Sequence, residues 1–148
     1  MSEVVLDASV LLKWFHTEGE SNVEQANRVR VRFEAGEFAV LVPSLLWLEV
    51  LNVAARRLRW GQEQLEQLAA RLAGLSFAVV EPELGRVAGW AAQGLTAYDA
   101  AYVAIAEQTG AALITDDAEL VRQAPDHTVA LAEQAADEEI ADADPTGE

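Results

Sequence analysis

The sequence predicts a three-layer α/β/α domain with a mainly parallel central sheet. Short aliphatic runs, each long enough for one buried strand, alternate along the chain with longer segments of helical character. The connections between strands are long enough to be crossovers, which are right-handed and cover both faces of a sheet. Hydrophobic residues make up 51% of the 148 residues, which suits one compact core.

Five segments carry the strand signal, a run of β-branched and aliphatic residues bounded by turn or helix-breaking residues. In chain order they are residues 4–6, 38–42, 78–80, 111–114 and 128–131. The first strand ends at Asp7 and the fourth at Thr115. Because ligands collect at the carboxyl ends of parallel strands, we expect Asp7 and Thr115 to lie at a binding edge.

Six segments carry the helical signal, which is an apolar spacing of three or four residues or a capping residue followed later by a glycine stop. In chain order they are residues 21–36, 45–58, 62–72, 83–93, 96–110 and 118–123. Ser21 and Glu24 match a capping box, and Thr96 and Asp99 resemble one with aspartate in place of glutamate. Ser44 is the predicted N-cap of the second helix.

Charge is distributed unevenly along the chain. The formal net charge is −15, but residues 133–148 carry seven acids and no basic residue, which leaves −8 on residues 1–132. We therefore predict one folded domain over residues 1–132 and an acidic, disordered tail over residues 133–148. The acidity argues against a broadly basic nucleic-acid binder, although arginines cluster at residues 28–32 and 56–59 and leave local positive patches.

Composition also excludes several classes of function. The chain has no cysteine, which excludes a disulfide framework, a thiolate zinc site and a thiol nucleophile. Its N-terminus lacks the basic stretch of a signal peptide, and no apolar run approaches the roughly 18 residues of a membrane span. We expect a cytoplasmic protein without a membrane partner.

Four acids are candidates for a divalent-cation site because each lies in or beside an apolar element. They are Asp7, Glu49, Asp99 and Asp117. Carboxylate oxygens are the ligands that Mg²⁺ and Mn²⁺ prefer, and a cluster of carboxylates without a counter-charge would repel itself. Bound ions of this kind activate water and orient a phosphodiester for hydrolysis, so the four acids together predict nuclease chemistry.

Taken singly, each of these acids also has a purely structural explanation. Asp7 can end its strand or cap the next helix, and Asp99 can be only the capping acid of its helix. Glu49 falls on a helical stripe of polar residues, as a solvated face does. Asp116 and Asp117 can complement the dipole of the helix that follows them.

Four sequence motifs bear on this choice. They are VVLDASVLLKWF at residues 4–15, PSLLWLEVLNV at 43–53, LTAYDAAY at 95–102 and ALITDD at 112–117. In content and order they resemble the four motifs of PIN domains of the VapC type. No single motif is specific, but four in family order form a strong resemblance.

The resemblance implies roles for particular residues. The implied metal ligands are Asp7, Glu49, Asp99 and Asp117. Ser9 and Thr115 would support the site through their hydroxyls, and Asn52 would orient Glu49 or a bound water. Asp116 stands where the family is variable, so it is a bystander, an added ligand or a substitute for Asp117.

The resemblance also implies an activity and partners. It implies a PIN fold and an endoribonuclease dependent on Mg²⁺ or Mn²⁺, in which activated water attacks an RNA phosphodiester and leaves 5′-phosphate and 3′-hydroxyl ends. It further implies the toxin of a type II toxin–antitoxin pair, active as a homodimer and held in check by a small antitoxin protein.

Two other interpretations compete with this one. A phosphoacceptor or dehalogenase-type phosphatase domain needs a second acid near Asp7 or a lysine after the last strand, and the only lysine is Lys13. A PIN-like module that holds RNA or a protein without cleaving it is the alternative from a different class. Intact RNA after incubation with Mn²⁺ would favour that alternative.

Overall fold

The computed structural model describes residues 2–134, which form one five-stranded sheet with the strand order β3-β2-β1-β4-β5. Every pair of neighbouring strands in it is parallel. The strands are β1 (Ser2–Leu6), β2 (Phe38–Val42), β3 (Ala78–Val79), β4 (Ala112–Thr115) and β5 (Thr128–Ala130). These five strands confirm the five predicted segments; β2 has the predicted ends, and the ends of the others differ by at most two residues.

Helices fill the connections between the strands. They are α1 (Ala8–Leu11), α2 (Val23–Glu34), α3 (Leu45–Arg56), α4 (Gln62–Ala73), α5 (Leu84–Ala92), α6 (Ala97–Thr109) and α7 (Ala118–Gln123). A 3₁₀ turn at Leu12–Trp14 follows α1 directly. Within residues 2–134, none of the helices has the length and apolar character that a membrane crossing requires.

The strand order places the candidate site. From β1 the chain moves outward to β2 and β3, and then returns to the other side of β1 to add β4 and β5. Right-handed crossovers then put the helices of the two halves on opposite faces, which gives the predicted three-layer α/β/α arrangement. The direction of winding reverses between β1 and β4, and ligands of open α/β sheets bind in the crevice at such a point.

The two neighbouring strands β1 and β4 are held in place by burial at the centre of the sheet. Val5 and Leu6 of β1 and Leu113 of β4 are fully buried, and Leu6 pairs in register with Ile114. The residues that follow this pair, Asp7 and Thr115, therefore lie side by side at the crevice. On α6, residues 100–106 are all buried, as in a helix enclosed on every side by its own protein.

The structure corrects three local predictions. Helix α1 and the turn after it were not predicted, because one helical turn shows no periodicity. The capping box at Ser21 is wrong: Asn22 is the N-cap of α2, and its φ of 55° places it in the left-handed region. Ser44 is the N-cap of α3 as predicted, but its hydroxyl donates to Glu81 instead of capping the helix.

The end of the chain is described only in part. Residues 131–134 are helical. The remainder of the acidic segment predicted for residues 133–148 lies outside the described residues. The division into residues 1–132 and residues 133–148 therefore stays a prediction.

Candidate active site

Asp7 is the most buried of the four candidate acids, with 6% of its surface exposed. Its Oδ1 accepts hydrogen bonds from the Ser9 amide at 3.1 Å and the Ser9 hydroxyl at 2.6 Å, and its Oδ2 accepts one from the Thr115 hydroxyl at 2.5 Å. Burial raises the pKa of Asp7 to about 6, although these hydrogen bonds favour the charged form. The negative charge of Asp117 raises this pKa further.

The turn after β4 is held from two sides. The Asp116 amide donates to the Ser9 hydroxyl at 3.0 Å, and the Asp117 amide donates to the Thr115 hydroxyl at 3.1 Å. Asp117 is the N-cap of α7, where its Oδ1 accepts from the Glu119 amide at 2.9 Å. Ser9 and Thr115 thus link the carboxyl ends of β1 and β4, and the supporting role of their hydroxyls stays a prediction.

Glu49 lies half-buried on α3 and not in open solvent. The hydroxyl of Tyr102 donates to Glu49 Oε1 at 2.5 Å. Burial raises the pKa of Glu49, the hydrogen bond from Tyr102 opposes this rise, and the charge of Asp99 adds to it. Burial and the hydrogen bond to Glu49 in turn raise the pKa of Tyr102 above its usual range, so Tyr102 stays a hydroxyl donor.

Asp99 lies in the first turn of α6, where its amide donates to the Thr96 hydroxyl at 3.0 Å. The capping role predicted for Thr96 is therefore confirmed. Burial raises the pKa of Asp99, and the charge of Asp117 raises it further. The charge of Asp99 therefore acts within the same group of acids. Tyr102, which contacts Glu49, lies one turn further along α6.

These charge couplings show that the fold brings the four acids into one region, because Asp117 acts on Asp7 and Asp99, and Asp99 acts on Glu49. Among residues 2–134, however, no three acidic or histidine side chains converge closely enough to form a ready metal cage. Hydrogen bonds hold Asp7 and Glu49 in place, and mutual repulsion disfavours closer approach of the carboxylates.

The family model for the PIN domain matches residues 4–125 of the chain. This chain belongs to the PIN domain family. Proteins of this family are generally nucleases that act on phosphodiester bonds. No curated protein matches the chain.

Solved structures share this PIN fold. PAE2754 from Pyrobaculum aerophilum is 26% identical with a TM-score of 0.63, covering 91% of this chain and 96% of that one. A toxin–antitoxin complex from Klebsiella pneumoniae contains a chain that is 23% identical with a TM-score of 0.57, covering 86% of this chain and 97% of that one. The second likeness concerns the fold alone.

The chemistry of the four acids fits a divalent cation. Among residues 2–134 of this PIN domain, none of the four forms an ion pair with a basic side chain. All four offer oxygen donors, and the pKa values of Asp7, Glu49 and Asp99 are raised by burial and by neighbouring negative charge. A divalent cation relieves this kind of repulsion, so the donor set suits Mg²⁺ or Mn²⁺.

The side chain of Asp116 pairs with other residues. Its Oδ2 lies 3.1 Å from Lys13 Nζ, and its Oδ1 accepts a hydrogen bond from the side-chain Nδ2 of Asn22 at 2.8 Å. Lys13 is buried, with 5% of its surface exposed, and also pairs with Glu20 at 3.2 Å. Among the three roles left open for Asp116, these contacts favour the bystander, which anchors Lys13 and Asn22 and binds no metal.

The residue that hydrogen-bonds to Glu49 is Tyr102 and not Asn52. Asn52 is exposed, and no hydrogen bond joins it to Glu49 in the described part of the chain. Tyr102 makes that contact instead, and the sequence reasoning did not single it out. Its signal was a polar hydroxyl one turn after Asp99 in a helix of small apolar residues.

Proposed function

We propose that this PIN domain is an Mg²⁺- or Mn²⁺-dependent endoribonuclease that hydrolyses RNA phosphodiester bonds. The observation that supports it most is the buried carboxylate of Asp7 at the switch point of the sheet. Three other acids lie in its region, and among residues 2–134 none of the four forms an ion pair with a basic side chain. A buried acid without a basic partner lowers the stability of the fold, which a purely structural role would not explain.

The residues of the chain divide the work among them. The four acids that would hold the cation are Asp7, Glu49, Asp99 and Asp117. The cation would lower the pKa of a bound water and stabilise the negative charge that develops on the phosphate during hydrolysis. Ser9 and Thr115 fix the two oxygens of Asp7, and Tyr102 fixes one oxygen of Glu49. Asp7 and Glu49 thereby keep their orientations before substrate arrives, which lowers the cost of organising the site.

We also propose that the protein is a cytoplasmic VapC-type toxin, active as a homodimer and inhibited by a small antitoxin protein. The four VapC-like motifs support this, as does the shared fold with a chain of the Klebsiella pneumoniae toxin–antitoxin complex. Co-expression with the product of a neighbouring short reading frame should relieve growth arrest. Growth arrest that is absent, or that also occurs with Asp7→Asn, would contradict the toxin role.

Incubation of the purified full-length protein with a broad RNA panel tests the activity. We expect cleavage with Mg²⁺ or Mn²⁺, none with a chelator, and none by Asp7→Asn. End analysis should give 5′-phosphate and 3′-hydroxyl products. Asparagine is close in shape to aspartate, so we expect Asp7→Asn to fold. Thermal unfolding of this variant checks that expectation. Equal cleavage by this variant would refute the assignment.

A non-catalytic PIN-like module that binds RNA or protein is the second candidate. The observation that favours it is that no three acids among residues 2–134 form a ready cage. Calorimetry with Mn²⁺ and no RNA distinguishes the two candidates. A nuclease should bind Mn²⁺, and Asp99→Asn should weaken that binding, whereas a binding module does not need to bind Mn²⁺.

A further inference from the structure

Three arginines stand apart from the other basic residues. All ten basic residues of the chain lie within residues 2–134, and seven of them pair with acids. The remaining three, Arg56, Arg59 and Arg71, have no ion pair in that range, and Arg71 lies over the ring of Phe15 at 4.5 Å. Arg56 and Arg59 are exposed, so their charges are available to an anion from outside.

Arg57 extends this group. Its guanidinium pairs with Glu20 at 3.1 Å, but its side chain is 61% exposed. We call Arg56, Arg57 and Arg59 the α3 arginine surface. In a chain with a net charge of −15, such a surface is where a polyanion meets the least repulsion.

The α3 arginine surface adjoins the candidate active site. Arg56 lies two turns after Glu49 on the same face of α3, about 10 Å along the helix axis. Arg57 lines a separate cavity of about 480 Å³ together with Ser9, Glu20 and Asp116. An RNA strand cleaved at the four acids and continuing along α3 from Glu49 would therefore reach Arg56 first.

The backbone at Arg59 gives an independent indication. Arg59 has a φ of 62°, and the Trp60 amide closes the end of α3 by donating to the Ala54 carbonyl at 3.0 Å. Glycine adopts this left-handed position at a helix end with less strain than any residue with a side chain. A strained residue that keeps a charged, unpaired side chain at such a place suggests a function for that side chain.

An apolar groove runs beside the arginines. It lies between α3 and α4, has a volume of about 800 Å³, and has walls formed by Leu48, Leu51 and Leu65. Leu48 is 70% exposed, and Arg56 lies at the rim. Glu66 is the acid of this groove, and its carboxylate accepts from Gln62 at 2.9 Å. An apolar groove beside a cation fits an unstacked base with its phosphate, which a single strand can offer and a duplex cannot.

We propose that the α3 arginine surface binds the phosphates of single-stranded RNA beside the cleaved bond, with an unstacked base in the α3–α4 groove. This inference rests on the proposed ribonuclease function. It concerns how the substrate is held, and it does not involve the metal-binding acids.

Fluorescence anisotropy with a labelled, random-sequence single-stranded RNA tests the proposal on the full-length protein, with a chelator present to prevent cleavage. We expect Arg56→Gln/Arg59→Gln to weaken binding by roughly tenfold. The slope of log affinity against log salt should fall by about 1.4, since each lost phosphate contact on a single strand removes about 0.7. The control Arg28→Gln/Arg86→Gln changes charge equally but removes arginines that are already paired, so it should change neither quantity.

Arg59→Gly separates binding from folding. It should raise the midpoint of thermal unfolding, because glycine fits the positive φ, and it should weaken RNA binding. A matching RNA duplex should bind more weakly than the single strand. Equal binding by the test and control variants, or a duplex that binds as tightly, would overturn the proposal.

The outcomes also separate this inference from the proposed function. If the native protein cleaves RNA but Arg56→Gln/Arg59→Gln binds and cleaves it normally, the arginine proposal fails and the ribonuclease stands. In that case a protein partner becomes the occupant to seek for the groove. If the native protein neither binds nor cleaves RNA, both proposals fail.

Discussion

Two groups of acids lie on either side of Ser9, and they differ in how their charge is balanced. On one side, Asp116 and Glu20 are matched by Lys13 and Arg57. On the other side, Asp7, Glu49, Asp99 and Asp117 have no basic partner among residues 2–134, and burial raises the pKa of three of them. From this difference we expect charge compensation, and not residue type, to separate a structural acid from a functional one.

Asp116 and Asp117 provide the sharpest test, because adjacent residues of one turn belong to different groups. We expect Asp117→Asn to lower the RNA cleavage rate by about a thousandfold, since a neutral amide is a poor ligand for a hard cation. Asparagine is also a good N-cap, so α7 should persist. Asp116→Asn should retain the rate within about threefold. Similar losses in both variants would erase the distinction between the groups.

The buried lysine should carry the largest effect on stability. Lys13→Met removes the cation that pairs with Asp116 and Glu20, leaving two partly buried acids close together. We expect a loss of about 3–5 kcal/mol in the free energy of unfolding, measured by urea titration. Lys13→Met/Asp116→Asn should regain part of this loss in a double-mutant cycle. Additive losses would mean that the Lys13–Asp116 pair is not coupled.

Asp7 should make the metal-free protein less stable as the pH rises. Its pKa is about 6 in the folded protein against a usual value of 3.8 for an aspartate, so the folded state binds this proton more tightly. The stability from this proton is present below about pH 4 and is lost as the pH rises through about 6, amounting to about 3 kcal/mol. Urea titrations of the native protein and Asp7→Asn across this range should diverge accordingly.

The sign of that divergence is decisive. Asp7→Asn should be the more stable protein above about pH 6 in the presence of a chelator. Mg²⁺ should stabilise the native protein far more than the variant, because a ligand that binds only the folded state stabilises it. A native protein whose stability is unaffected by Mg²⁺ would place Asp7 among the structural acids.

Tyr102→Phe should have the smallest effect of the four. It removes only the hydroxyl that donates to Glu49, which costs about 1 kcal/mol of folding stability. We expect Mn²⁺ to bind several-fold more weakly by calorimetry, and the pKa of Glu49 to rise further, because the hydrogen bond favours its charged form. An unchanged Mn²⁺ affinity would show that Tyr102 serves packing alone.

Much of the fold followed from the sequence because local signals and tertiary structure agree. The strand at residues 38–42 and the helix that Thr96 caps are found where β-branched runs and capping residues indicated them. The capping box at Ser21 failed for a tertiary reason. The side chain of Asn22 bonds to Asp116, 94 residues away, and no local pattern reveals that contact.

The candidate site was predictable to a similar degree. Motif order selected the acids at the ends of β1 and β4, and strand pairing places those ends together. The pairing of Lys13 with Asp116 and the contact of Tyr102 with Glu49 join residues far apart in sequence, so only the folded chain reveals them. For this reason the role of Asp116 stayed open in the sequence.

The strand order also determines how late in translation the candidate site can form. The central strand β1 is made first, but its neighbour β4 pairs with it only after about 108 further residues, as Val4 opposite Ala112 shows. A nascent chain that stops short of β4 already contains Asp7 and Glu49 but lacks Thr115 and Asp117. Interrupted synthesis of this chain would therefore yield fragments whose candidate site lacks every contribution of β4 and of the turn that follows it.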